Sequence, residues 1–224
     1  MLGLAFRRCF RALSPAPTPA TIRGPPGAAN YLPGNGGLCV GRTRRYNEVM
    51  TTMTDEQKRI RGYLEAQGAK LPPSAIVDKV REAMSRLRAA AVAVPAARFA
   101  EAPAPGEWSA NEVMAHVVDA GRHFGEGILR ALDGLPPGER RHAEERPAAP
   151  KHTAAEWLAM LDRDREQLFD RALRAEPTAR LEQSISHGFF GSLNWRETLL
   201  FIRVHDLDHA GQLEKIAAAL GSGA

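Results

Sequence analysis

The residues of this chain whose types and spacing suit chemistry are histidines in its last segment, NWRETLLFIRVHDLDHAGQLEKIAAAL. His205 and His209 are four residues apart, so on a helix their imidazoles leave one face, about 6 Å apart along the axis and roughly 40° apart around it. Two rings so placed can converge on one cation. A third nitrogen has to come from another element. His116 in WSANEVMAHVVDA suits, one residue before Val117 and on the face shared with Val113 and Ala120. Three neutral imidazole nitrogens at about 2.0 to 2.1 Å occupy three positions of a tetrahedral zinc and leave the fourth open for water or substrate. Taken singly, each histidine reads more readily as a core or surface residue hydrogen-bonded to a neighbour. Taken together they favour the metal, because imidazoles buried in an apolar seam without partners cost several kcal/mol and one ion satisfies them at once. Asp206 stands where HExxH carries its general-base Glu, so the pair is not the zinc-protease motif.

The remaining histidines fit less well. His123 lies seven residues after His116, about 10 Å further along the same helix, so the two cannot easily share an ion and His123 is expected to line the bundle or face solvent. His142 falls in a polar loop, His152 at a helix entrance, and His187 in HGFFGSLNW two turns of chain before the last helix, where it can line the site mouth. A ligating imidazole usually donates its other N–H to a carboxylate or carbonyl. Glu112, Asp119 and Gln212 are spaced to serve, although a helix cap, a solvated flank and a boundary position explain them equally. Asp206 and Asp208 point about 60° to 100° away from the histidines and read as structural or surface charges.

The elements that must position these rings are punctuated by capping boxes: Thr54 with Gln57, Ser109 with Glu112, Thr153 with Glu156, and Asn194 with Glu197. Trp108 is placed to staple onto Val113, and a fifth helix opens near Ser74 after Pro72 and Pro73. Gly68, Gly134 and Gly221 read as stops. Segments 74–94, 109–133, 153–175 and 194–220 each carry an apolar stripe at spacings of three and four, and no convincing strand competes. Such helices hide their stripes only against one another, so the expected fold is all-α, a four-helix bundle with a short leading helix. The connections 95–107, 134–152 and 176–193 are long enough to carry function.

The charge of +4 and pI near 9.4 suggest nucleic acid until they are located. Residues 1–47 hold seven arginines and no Asp or Glu, which leaves the rest of the chain at −3 and without the basic surplus that phosphate contacts need. No apolar run is long enough to span a bilayer. Cys9 and Cys39 both lie in the leading tract, so the main body has neither a disulfide nor a cysteine nucleophile, as suits the cytoplasm. The Pro-, Gly- and Arg-rich residues 1–52 are expected to be disordered. Their composition is shared by mitochondrial presequences, but the abrupt change at Met50 and Met53 favours a reading frame opened too far upstream. The domain is therefore placed at 53–224.

Two blocks carry a resemblance to a known family. WSANEVMAHVVDAGRH is similar to the segment that opens the second helix of the DinB-like (DinB/YfiT-like metalloenzyme) superfamily, and HGFFGSLNWRETLLFIRVHDLDHAGQL to its closing segment. The likeness spans about residues 74–220. It implies a metal-binding four-helix bundle with His116, His205 and His209 as ligands, usually for zinc or nickel, and commonly a homodimer. Where the family has His-Pro, this chain has His187 and Gly188, so no special role transfers to His187. Characterised branches transfer low-molecular-weight thiols such as bacillithiol or mycothiol to electrophiles, or use mycothiol in an isomerisation. The three-histidine set is closer to the bacillithiol-transferase pattern than to isomerases that have a ligating carboxylate. The resemblance thus implies a metal-dependent thiol S-transferase whose partners are a small thiol and a small electrophile. The alternatives are a non-catalytic metal-binding or stress-associated bundle, and a metal-dependent hydrolase, for which no general base can be placed.

Overall fold

The computed structural model describes residues 53–136, 138 and 149–221. The leading tract, Cys9, Cys39 and His142 lie outside the described residues. Among the described residues five α-helices follow in order: α1 Asp55–Lys70, α2 Pro73–Ala93, α3 Ala110–Leu132, α4 Ala154–Leu173 and α5 Trp195–Gly221, with a 3-10 turn at Ala96–Arg98. No described helix is long and apolar enough to cross a membrane.

The starts follow from the capping chemistry. The hydroxyls of Thr54, Ser109 and Thr153 accept from the amides of Gln57, Glu112 and Glu156, whose side chains return to the capping amides. At α5, Asn194 Oδ1 accepts from the Glu197 amide while Glu197 Oε2 accepts from the Asn194 amide. The α2 helix begins one residue before the expected Ser74, with Pro73 in its first turn. The expected stop at Gly68 is wrong. The α1 helix continues to Lys70 and ends at an extended Leu71, before Pro72 and Pro73, whereas Gly68 lies inside it, where an added Cβ would sit 3.1 Å from Glu197 Cγ. That glycine serves close packing. Gly134, at φ +69°, does take the left-handed conformation after α3.

Helix α2 packs on α5 and on α4, and α3 packs on the same two, so α4 and α5 stand at opposite corners of the four-helix bundle; α1 lies along α5. The connection before α5 contains a hairpin that the sequence pattern did not reveal. β1 Ile185–His187 pairs antiparallel with β2 Gly191–Leu193, with Ser186 opposite Ser192. Two three-residue strands with serines at their centres show too few alternations to register as strands.

The core is divided. One apolar cluster contains Ile76, Val80, Phe124, Leu168 and Leu199, with the hairpin; another contains Leu87, Val113, Trp157, Leu161 and Leu213. Between them along α4 and α5 fall Arg165, His205, Asp206 and His209, and α3 brings His116 to the same level, its Nε2 3.1 Å from that of His205. The functional candidates therefore occupy a polar layer across the bundle.

Candidate metal centre

The structure brings His116, His205 and His209 together. His205 Nε2 lies 3.1 Å from His116 Nε2 and 3.2 Å from His209 Nε2. A donor atom from each of the three lies within 4.8 Å of the others. His209 is buried, and His116 and His205 are half-buried. Trp108 meets the His116 ring edge-on at 5.5 Å.

Hydrogen bonding alone does not satisfy this cluster. A ring nitrogen carries either a proton or a lone pair, so His205 Nε2 completes one in-plane hydrogen bond and not two. A cation accepts lone pairs from all three. Tetrahedral coordination at about 2.0 to 2.1 Å places ligand atoms about 3.3 to 3.4 Å apart, close to the two separations observed. Gln212, one of the supporting groups expected, is in place: its Oε1 lies 3.0 Å from His209 Nδ1. An amide oxygen only accepts, so Nδ1 carries the proton and Nε2 presents its lone pair to the cluster.

Electrostatics agree. Burial pushes His116 below the ordinary imidazole range, against the pull of Asp119. His205 is held well below it by burial, then by His116, Arg165 and His187, and His209 likewise by burial and its two histidine neighbours. Rings that resist protonation present lone pairs at neutral pH, the form in which imidazole ligates.

The other candidates separate. Glu112 is engaged in the α3 capping box, with both the amide and the hydroxyl of Ser109 donating to it. Asp119 is exposed on α3 and acts on His116 through its charge. His123 is half-buried, its ring edge against Phe124. His152 packs edge-on against Trp157 at 4.7 Å. His187 is buried, stacked on Phe124 and Phe190, and its Nδ1 accepts from the amides of Phe189 and Phe190, so it closes the hairpin turn. Asp206 and Asp208 are both buried.

Arg165 and Asn111 also belong to the site's framework, beyond the residues that the sequence pattern marks. Arg165 interrupts the α4 stripe between Leu161 and Leu168, and it is 2% exposed, donating to Asp206 at 3.0 Å. A cation at a core-stripe position was the available signal. Asn111 joins two elements: its Oδ1 accepts from Trp157 Nε1 and from the His152 amide, and its Nδ2 donates to the Pro150 carbonyl. Nothing in the local pattern marked it.

YfiT from Bacillus subtilis, described as a probable metal-dependent hydrolase with an unusual four-helix bundle topology, is similar in structure. The TM-score is 0.55 at 14% identity, covering 66% of this chain and 87% of that one, and the likeness concerns the fold. No curated protein matches the chain. The family model of the DinB superfamily matches residues 79–213. With both halves of the histidine cluster inside that span, the chain belongs to the DinB superfamily.

Proposed function

We propose that His116, His205 and His209 hold one divalent ion, zinc or nickel, and that the protein is a metal-dependent enzyme that activates a low-molecular-weight thiol for transfer to a small electrophile in the cytoplasm. The observation that carries the metal reading is the meeting of three Nε2 atoms at separations that suit shared coordination, where the one proton or lone pair of His205 Nε2 cannot serve both neighbours by hydrogen bonding. An ion with an open position would supply a site where a thiol is bound as thiolate, its reactive form, near neutral pH.

The chain's own groups favour a thiol over water as the nucleophile. Hydrolysis needs a general base beside the ion. Glu112 is held by its capping box and Asp206 by Arg165, while Asp119 is exposed on α3. A thiolate needs no such base once formed. The non-catalytic reading, in which an ion merely fastens α3 to α5, is separated by kinetics. Consumption of a small thiol with a generic electrophile is measured for the metal-loaded protein and for His209→Ala. The transferase reading expects the variant to lose most of the rate; equal rates dismiss it. The assembly proposed with this reading is a homodimer, which sedimentation at micromolar concentration checks.

A further inference from the structure

The polar layer contains a buried ion pair that ligation does not require. Arg165 extends from α4 and donates through Nη2 to both carboxylate oxygens of Asp206 on α5, at 3.0 and 3.3 Å. Arg165 is 2% exposed and Asp206 is fully buried. Helices α4 and α5 occupy opposite corners of the bundle, so this contact crosses the core along its diagonal. Its path runs over α3 at Gly121, where an added Cβ would lie 3.0 to 3.2 Å from the guanidinium atoms. A mid-helix glycine disfavours the helix, and here its bare backbone admits the arginine.

Stability does not account for the pair. Buried ion pairs are often replaced by apolar residues of similar volume at no loss, and Arg165 Nε has no partner among the described residues. Position is the better clue. Asp206 follows His205 directly, and its Oδ1 lies 3.9 Å from His205 Nδ1, the nitrogen that carries the proton when Nε2 is given to an ion. The anionic end of the pair therefore faces the outer edge of the imidazole, while the cationic end is set back on α4. A carboxylate behind a ligating histidine orients the ring. The 3.9 Å separation makes this a charge effect rather than a hydrogen bond.

We propose that the Arg165–Asp206 pair is a positioning device for the metal site, a diagonal strut that fixes α5 against α4 and holds His205 with its Nε2 turned into the histidine cluster. The inference rests on the metal reading above and adds residues outside the ligand set.

The full chain, its Arg165→Met/Asp206→Leu variant and Gly121→Ala are titrated with Zn2+ and Ni2+ against a chromophoric chelator, and the thermal midpoints of the metal-free forms are measured beside them. The strut predicts that the double variant melts no lower than the parent yet binds metal at least tenfold more weakly. Gly121→Ala, whose Cβ would crowd the guanidinium, is expected to weaken binding severalfold, by more than any change in its metal-free midpoint accounts for. If the double variant does not fold, Gly121→Ala decides. Equal affinity in parent and folded variants, or affinity that falls only as the midpoint falls, overturns the positioning role and leaves the metal reading intact. A parent that binds neither ion overturns both.

Discussion

Gln212 and His187 show how differently single side chains serve this site. Gln212 accepts from His209 Nδ1 and so fixes which nitrogen of that ring faces the cluster. Gln212→Ala should lower metal affinity about tenfold to a hundredfold with little change in the metal-free midpoint, and competition against a chelator checks it. His187 acts on the apo fold. Burial first, and the nearby His123 second, push it from 6.5 to about 3. The unfolded chain takes up this proton near pH 6.5 and the folded chain does not, so stability is full above that pH and lost as pH falls toward 3, at about 1.4 kcal/mol per unit. Urea unfolding with a chelator present, between pH 6 and pH 4, should give a slope shallower by that amount in His187→Gln; parallel slopes refute it. The three clustered histidines were legible because an imidazole inside an apolar stripe is conspicuous. Arg165 interrupts its stripe in the same way, but its pairing with Asp206 was not legible, because the partner lies across the bundle on a helix with which α4 shares little packing, and periodicity within one helix does not report the diagonal.

At the scale of elements, the capping boxes fixed where α1, α3, α4 and α5 begin, since each is a local exchange of hydrogen bonds between residues three apart. Helix ends were less legible. Gly68 resembled a stop but lies against Glu197, a contact made by α5 well over a hundred residues later. The hairpin at 185–193 escaped for want of length, and its turn is held by His187 rather than by a typical turn sequence. Asn111 matters most at this scale, because it ties the first turn of α3, which leads to His116, to the chain entering α4. Asn111→Ala would leave the buried Trp157 Nε1–H and the His152 amide without their acceptor. A loss of about 2 to 4 kcal/mol is expected from denaturant unfolding. A loss under about 1 kcal/mol would show that this link contributes little.

Across the whole molecule, the bundle was readable because four amphipathic stripes have nowhere to go except against one another. The order of the helices around the bundle was not, since each stripe gives a direction inward and no identity for its neighbour. That order places α3 beside α5, where His116 can meet the other two rings. An ion shared between those helices couples binding to folding. At a hundredfold excess over the dissociation constant it should add about 2.7 kcal/mol, a rise in midpoint of roughly 5 to 10 °C that a chelator reverses. The most direct test of the shared centre is elemental analysis of the protein purified without added metal, set beside His116→Ala and His205→Ala. One equivalent of a divalent transition metal in the parent and almost none in either folded variant is the predicted result. A metal-free parent that also takes up neither zinc nor nickel, or variants that retain a full equivalent, would contradict it.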